Sequence, residues 1–329
     1  MIHLTLSGSP YQIGYQHGLA LRVLVDAMVR YESRRHSHTT STTPNLDAVL
    51  SRVRNAAPAL LEELEGIANG SGIPLDALLE VNLRVLHYCT VVAFADSDVG
   101  PLLGKNLDFA AYTYQVLFTI QPDEGHAMTH VGCAGSVASY GGINSAGLAM
   151  GHAVVPLDER PQDGGLPVAF LRRLALQHCA TVPEAIDLLR KHDAWQTGDN
   201  LMFLDRSGEA AVVELAPRMQ RVLRPAGRTI WCTNCFVHPD LVQGKEEARQ
   251  RHRYIEKVLR AEQPSLTHAL LQRLLSSHDD QAPLCRDSTQ LSFIAHPVSG
   301  HLEIADGYPC QVGYREQKYE TLHDWSQQP

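Results

Sequence analysis

The chain has 329 residues, of which 44% are hydrophobic and 19% are charged. This composition supplies ample apolar material for a core and excludes a disordered protein. The 28 basic and 36 acidic residues give a net charge of −8, which excludes binding of duplex nucleic acid through a basic surface. The one basic cluster, over residues 249–253, lies among acidic residues, and we interpret it as the solvated face of a helix.

The sequence shows no pattern typical of a membrane span, a signal peptide or a disulfide framework. No apolar run approaches the ~18–20 residues that span a bilayer, and the first ten residues lack the features of a signal peptide. We therefore expect a cytoplasmic protein without a membrane partner. The seven cysteines are odd in number and scattered, which argues against a disulfide framework.

Helices are predicted first along the chain. Ser9-Pro10 marks the start of a helix that continues to about Tyr31, and a polar loop follows over residues 33–44. Residues 46–67 carry apolar side chains at helical spacing, ending at the glycines of Asn69-Gly-Ser-Gly72. Pro74 begins a third helix through about His87.

Strands dominate after residue 88, in blocks interrupted by helices. The predicted strands are 89–95, 101–107, 114–121, 127–133, 147–155, 201–205, 209–215, 221–223, 229–232, 290–296 and 301–305. The predicted helices of this part are 167–179, 183–192, 244–262 and 265–277. Because strand and helix runs alternate in blocks, the pattern indicates antiparallel sheets layered with helices, an α+β architecture. No linker divides the chain into independent domains.

Common catalytic and metal-binding motifs are missing. The sequence has no HExxH, no Walker loop, no GxGxxG after a strand and no GxSxG. Cys232-Thr-Asn-Cys235 is a lone CxxC, whereas structural zinc needs four ligands. We expect neither a metal nor another cofactor.

Cys89 is the candidate nucleophile, at the change from helical to strand-rich sequence. It begins a predicted hairpin whose return strand holds Gly104-Lys-Asn-Leu-Asp108-Phe109. The return strand should bring Lys105 and Asp108 back beside Cys89. A cation lowers the pKa of a thiol, and a carboxylate can hold an amine in place.

This spacing resembles the penicillin acyltransferase-like (isopenicillin N acyltransferase) branch of the N-terminal-nucleophile (Ntn) hydrolases, and further motifs occur in the order of that family. The resembling segments are Ile13-Gly-Tyr-Gln-His-Gly18, Gly142-Ile-Asn-Ser-Ala-Gly-Leu148, Gly198-Asp-Asn200, Leu284-Cys-Arg286 and Gly307-Tyr-Pro-Cys310. The resemblance implies a four-layer αββα sandwich. It also implies self-cleavage between Tyr88 and Cys89, giving a helical α chain of 1–88 and a β chain of 89–329 that together form one compact domain.

The resemblance assigns roles in amide hydrolysis or acyl transfer on a small N-acyl amide or acyl thioester. Cys89 would form the acyl-enzyme, its new α-amino group would act as base, and Asp108 would orient that amine. Lys105 would stabilise negative charge near the thiol, and Asn200 would donate to the oxyanion. The expected assembly is a self-cleaved α/β heterodimer, with a higher homo-oligomer left open.

Three further residues are assigned to the substrate pocket. Arg286 is expected to form an ion pair near the site. Asn234, in Thr233-Asn-Cys235, and His152 lie in segments that differ from the family pattern, which stops the transfer of a substrate from any relative.

Two alternatives remain open. One is a papain-like cysteine hydrolase that uses Cys89 with a distant histidine and no cleavage, although the flanking signature of that family is missing. The other is a catalytically silent relative that binds a small ligand in the same pocket.

Overall fold

The structure is a computed structural model that describes residues 1–36, 46–83, 88–109, 114–157, 167–191, 198–216, 219–225, 227–261 and 265–316. Most of the predicted loop over 33–44 and the end of the third predicted helix lie outside these ranges.

The helices and strands are numbered in chain order. The helices are α1 Pro10–His36, α2 Leu46–Ala56, α3 Pro58–Ser71, α4 Leu75–Asn82, α5 Val168–His178, α6 Val182–Arg190, α7 Glu246–Ala261, α8 His268–Leu275 and α9 Pro309–Val312. Strands of the first half are β1 Ile2–Gly8, β2 Tyr88–Phe94, β3 Leu102–Asp108, β4 Gln115–Pro122, β5 Met128–Cys133, β6 Gly141–Asn144 and β7 Ala149–Val155. The others are β8 Gly198–Leu204, β9 Ala210–Ala216, β10 Met219–Leu223, β11 Thr229–Cys232, β12 Cys235–Phe236, β13 Gln243–Gly244, β14 Thr289–His296, β15 His301–Ala305 and β16 Arg315–Glu316.

Two large sheets form the centre of the fold. One has the order β1-β4-β5-β6-β7-β8-β9-β10, and the other has the order β11-β2-β3-β14-β15-β16. They face each other where β2 and β3 contact β7. Helices α1, α5 and α6 pack on the first sheet, and α7 and α8 pack on the second. The predicted four-layer αββα sandwich is thereby confirmed.

The N-terminal segment departs from the prediction at two points. It begins with a strand, β1, which pairs in parallel with β4 through Leu4 opposite Phe118, so this segment is not purely helical. The long helix predicted over 46–67 is divided between Ala57 and Pro58. Proline has no backbone N–H to continue a helix and is favoured in a first turn, so Pro58 starts α3.

Glycines explain how closely α1 and α3 pack. A Cβ added to Gly14 would lie 1.9 Å from the Glu63 carbonyl oxygen, and one added to Gly18 would lie 2.3 Å from that of Ile67. Both glycines belong to the first resembling motif of the sequence. Their role in this structure is close backbone contact between two helices.

Candidate active site

The β2–β3 hairpin places Cys89 and Lys105 on one face. In the antiparallel register Cys89 lies opposite Leu107 and Val91 lies opposite Lys105. Because side chains alternate along a strand, these positions all face the space between the sheets. Both Cys89 and Lys105 are fully buried. The predicted return of Lys105 to the start of the hairpin is confirmed.

Asp108 lies next to Cys89 but on the other face of the hairpin. Its register partner is Tyr88, and its Oδ1 accepts a hydrogen bond from Thr289 Oγ1 at 2.5 Å. Oδ2 is buried and has no hydrogen-bond partner among the described residues. Burial raises the pKa of Asp108, and the nearby Arg251 guanidinium acts against that rise. The thiol of Cys89, the cation of Lys105 and the carboxylate of Asp108 therefore lie at the same strand end, with the carboxylate on the opposite face of the hairpin.

Electrostatics around the thiol are dominated by burial. Burial raises the pKa of Cys89 to about 11, while Lys105 is the strongest charge that lowers it. Burial also lowers the pKa of Lys105 to about 8. The Lys105 ammonium donates a hydrogen bond to the carbonyl of Tyr140. In the uncleaved chain, therefore, the thiol is protonated at neutral pH and lies beside a buried cation.

Arg251 corrects the interpretation of residues 249–253 as a solvated face. Its side chain is buried, with Nη1 donating to the Cys89 carbonyl at 3.1 Å and to Thr90 Oγ1 at 2.8 Å. Arg253 at the same cluster is exposed and pairs with Glu246. The missed signal is spacing, because Arg251 lies three residues after Ala248 and four before Ile255 on the buried stripe of α7.

Asn234 contacts the backbone of the candidate nucleophile. Its Oδ1 accepts the Cys89 backbone N–H at 2.9 Å and Arg251 Nη2 at 2.8 Å. Its Nδ2 donates to the carbonyl of Val154 at 2.7 Å. The side chain thus links β2, β7 and α7 at the nitrogen that would become the new N-terminus.

Asn200 holds the segment that carries Asn234. Its Nδ2 donates to the carbonyls of Thr233 and Cys235, at 2.8 and 2.9 Å. Both N–H groups of the amide are therefore committed to backbone carbonyls on either side of Asn234. In this structure the amide holds the 233–235 bend, and the oxyanion role of Asn200 stays a prediction.

His152 belongs to a buried polar cluster on the side of the first sheet that faces α5. Its Nδ1 lies 3.3 Å from Asp199 Oδ1, and its Nε2 lies 2.5 Å from Arg172 Nη1. Burial raises the pKa of Asp199 to about 6, against the effects of Arg172 and Lys105. Because both ring nitrogens of His152 have partners, the ring orients the Arg172–Asp199 pair, and the assignment of His152 to the substrate pocket stays a prediction. Sequence reasoning missed Arg172 and Asp199.

Arg286 lies beside the predicted cleavage site. Its guanidinium lies 5.8 Å from the ring centroid of Tyr88, and Lys245 Nζ lies 5.9 Å from the same centroid. Arg286 Nη2 forms an ion pair with Glu247. Its Nη1 is buried and has no hydrogen-bond partner in the described part of the chain. Two cations thus flank the residue that precedes Cys89.

Within the described residues, two groups of side chains could hold a metal ion: His278, Cys285 and Cys310, and His268, His296 and Glu303. Neither group contains a residue predicted for the active site. No helix in the described ranges is both long and apolar enough to cross a membrane.

Comparisons with known proteins agree with this architecture. The family described as acyl-coenzyme A:6-aminopenicillanic acid acyl-transferase matches residues 95–292. A protein of Emericella nidulans, the acyl-coenzyme A:6-aminopenicillanic-acid-acyltransferase 40 kDa form, is 27% identical over 261 residues, covering 72% of this chain and 70% of that protein. An uncharacterized protein of Archaeoglobus fulgidus is 24% identical over 227 residues, covering 56% of this chain and 38% of that protein.

A solved structure shares the fold. A mutant of the conjugated bile acid hydrolase from Clostridium perfringens superposes with a TM-score of 0.50 at 14% identity, covering 70% of this chain and 97% of that one. The paired sheets of this chain thus have the fold of that hydrolase. The chain belongs to the acyl-coenzyme A:6-aminopenicillanic acid acyl-transferase family.

Proposed function

We propose that the chain is a self-processing cysteine enzyme, which cleaves itself before Cys89 and then hydrolyses or transfers the acyl group of a small N-acyl amide or acyl thioester. One observation carries the proposal. The Cys89 backbone nitrogen is held by Asn234 at 2.9 Å, next to Asp108, while its thiol lies beside Lys105. After cleavage this nitrogen would be an α-amino group that is already held beside the thiol.

Cleavage begins with attack of the Cys89 thiol on the carbonyl carbon of Tyr88. The C–N bond breaks, the nitrogen takes a proton, and water hydrolyses the resulting thioester to release the Tyr88 carboxyl group. The new amine keeps Asn234 Oδ1 as an acceptor, and the unpartnered Oδ2 of Asp108 supplies a second one. An α-amino group titrates near neutral pH, which suits it as a base for the adjacent thiol.

Lys105 favours the thiolate form of Cys89. It is the largest of the charges that lower the pKa of this thiol, in a site where burial raises it. Buried charges interact more strongly than exposed ones because little water screens them. The thiolate attacks the acyl carbon of the substrate, the amine or thiol leaves with a proton, and water or a second nucleophile then releases the acyl group.

Arg286 is proposed to bind a polar group of the substrate through the buried, unpartnered Nη1. Asn234 is proposed to orient both the amine and the substrate. A thioester is included among the substrates because the Emericella nidulans relative is named for acyl-coenzyme A. His152 would act through Arg172, which donates a hydrogen bond to its ring.

The two products of cleavage should remain one compact unit. Residues 1–88 supply β1, an edge strand whose ladder pairs with β4 of the β chain. They also supply Glu63, whose buried carboxylate pairs with Arg173 Nη2 at 3.3 Å. Removing one partner of a buried ion pair is costly, so separation of the chains is strongly disfavoured. We propose an α/β heterodimer.

Intact mass tests the proposal. The purified 36.3 kDa chain should yield two co-eluting fragments with Cys89 at the start of the larger one. Cys89→Ala should stay whole and inactive, Cys89→Ser should cleave slowly, and Cys179→Ala, which changes another buried cysteine, should behave as wild type. The fragments are then assayed with a panel of N-acyl amides and acyl thioesters.

Three outcomes contradict the proposal. An uncleaved chain that is active through Cys89 is a papain-like enzyme. An uncleaved chain without activity that binds members of the panel is a silent ligand-binding relative. Cleavage of Cys89→Ala at the same bond would show that another group performs the cut.

A further inference from the structure

Two cysteines and a histidine lie together outside the active site. Cys285 Sγ donates a hydrogen bond to Cys310 Sγ, 3.6 Å away, and His278 Nε2 lies 2.9 Å from Cys310 Sγ. Cys285 is fully buried, whereas Cys310 is the exposed member of the seven cysteines. The three side chains come from the segment after α8 and from α9.

We infer that Cys285 and Cys310 are a reversible thiol–disulfide pair that a peroxide oxidises. Cys310 is the sulfur that a peroxide can reach, and His278 is in place to accept its proton. The thiolate attacks one peroxide oxygen, the O–O bond breaks, and Cys310 becomes a sulfenic acid with release of hydroxide or, after protonation, water.

The second step needs a resolving thiol, and Cys285 is in position. Its S–H already points at the Cys310 sulfur. Attack by the Cys285 sulfur forms the S–S bond, and the sulfenic oxygen leaves as water with the Cys285 proton. The peroxide has then accepted two electrons from the two thiols. A dithiol reductant reverses the reaction by taking both sulfurs back to thiols.

Closing the pair requires movement of about 1.5 Å, since a disulfide is about 2.05 Å long. Backbone freedom for this lies on the Cys310 side. The short helix α9 is flanked by Gly307 and Gly313, at φ values of 125° and 66°. A Cβ added to Gly313 would meet nothing within 4 Å. The exposed segment can therefore approach the buried Cys285.

Two of the other cysteines have oxygen partners instead. Cys133 Sγ bonds to the Tyr140 hydroxyl at 3.0 Å, and Cys235 Sγ lies 3.3 Å from Thr233 Oγ1. Both sulfurs are buried. Zinc is the competing ligand for the thiol pair with His278, but a closed structural zinc site has four ligands, and only three groups converge here among the described residues.

The test uses the Cys89→Ala chain, so that neither self-cleavage nor the candidate nucleophile affects the result. Treatment with hydrogen peroxide should lower its mass by about 2 Da, the mass of the two hydrogens lost in forming a disulfide. Peptide mapping should then join Cys285 to Cys310, and dithiothreitol should restore both thiols. His278→Gln in this background should slow the oxidation roughly tenfold or more, because a positioned proton acceptor is lost.

Two matched variants serve as controls in the same background. Cys310→Ser should abolish the link, and Cys179→Ser should leave it unchanged. Oxygen addition at Cys310 without a link, or a link between other cysteines, overturns the inference. So does purification with one equivalent of zinc that Cys310→Ser loses and that blocks oxidation. None of these outcomes depends on whether the wild-type chain is a self-processing enzyme.

Discussion

The backbone N–H of Cys89 donates to Oδ1 of Asn234, which is 145 residues further along the chain. The bond joins the first residue of the proposed β chain to the bend after β11. Arg251 reinforces it by donating to the same oxygen and to the Cys89 carbonyl. The backbone of Cys89 is therefore fixed on both sides of its side chain before any cleavage takes place.

Asn234 should matter more to the reaction than Asn200. Asn234→Ala removes the acceptor from the Cys89 nitrogen, and we expect a loss of about 10²–10³ in the rate of self-cleavage and in kcat, comparable with the loss of one oriented polar group. Asn200→Ala frees the bend that carries Asn234, so its effect should be smaller and indirect. Quenched time courses on fresh chains measure cleavage. A larger defect in Asn200→Ala than in Asn234→Ala would support the oxyanion role predicted for Asn200.

Local and distant parts of this site differ in how well the sequence predicts them. Cys89, Lys105 and Asp108 lie on one hairpin, where antiparallel pairing alone brings them to the same strand end, with Asp108 on the opposite face. Asn234 and Arg251 reach Cys89 from 145 and 162 residues away, and such contacts depend on how the sheets pack. The burial of Arg251 was not predicted because an arginine within a charged run is normally solvated.

The fold shows the same division. The block order of strands and helices predicts the α+β class, and the four-layer αββα arrangement follows from the family resemblance. The edge strand β1 pairs with β4 more than a hundred residues later and carries few local signals, so it was missed. The end of the helix before Pro58 is a feature that a proline can predict, but the apolar spacing continues through 46–67 and favours one long helix.

Asp108→Asn should move the acid limb of the kcat/KM profile to lower pH. A carboxylate beside the new amine favours its charged form and raises the pKa of the amine, so removal of the charge lowers it. Asp108 also raises the pKa of the Cys89 thiol, which shifts that group in the same direction. The plateau should fall because the amine is less well oriented. A profile identical to that of wild type, with only a lower melting temperature, would mean that Asp108 serves the fold alone.

Lys105→Met should have the opposite effect on the thiol. Loss of the cation that most lowers the pKa of Cys89 raises that pKa further. Alkylation of Cys89 by iodoacetamide, followed against pH, should shift to higher pH. Wild-type Lys105 loses its own charge as the pH passes about 8, so the difference between the two chains should be largest below that value. Equal alkylation profiles would exclude Lys105 from activating the thiol.

Gly14→Ala should destabilise the contact between α1 and α3. The added Cβ would lie 1.9 Å from the backbone oxygen of Glu63, which cannot rotate away as a side chain could. Overpacking of this kind costs about 1–3 kcal/mol or more, which exceeds the gain of up to about 1 kcal/mol from helix propensity. Urea unfolding measures the change. Leu19→Ala, on the exposed side of the same helix, should stay within about 0.5 kcal/mol of wild type.

Acid should destabilise the chain through His17. Burial lowers the pKa of His17 to about 3, and its Nε2 accepts the backbone N–H of Gly135 at 3.0 Å, which a protonated ring cannot do. Between pH 6.5 and about 3 the unfolded chain therefore binds one proton more than the folded chain at this residue. The contribution of His17 to the free energy of unfolding then falls by up to about 1.4 kcal/mol for each pH unit of acidification.

His17→Leu isolates that contribution. The variant loses the hydrogen bond to Gly135 and should be less stable at pH 7, but its stability should depend less steeply on pH. Between pH 6 and 4 the slope should differ from that of wild type by up to about one proton, and Leu19→Ala, which changes an exposed and non-titratable residue, should keep the wild-type slope. Asp199, whose pKa burial raises to about 6, acts in the opposite direction, since the folded chain binds its proton first. Because that carboxylate is present in all three chains, its contribution cancels from the comparison. Parallel curves of stability against pH for His17→Leu and wild type would show that His17 is not the neutral, buried acceptor described here.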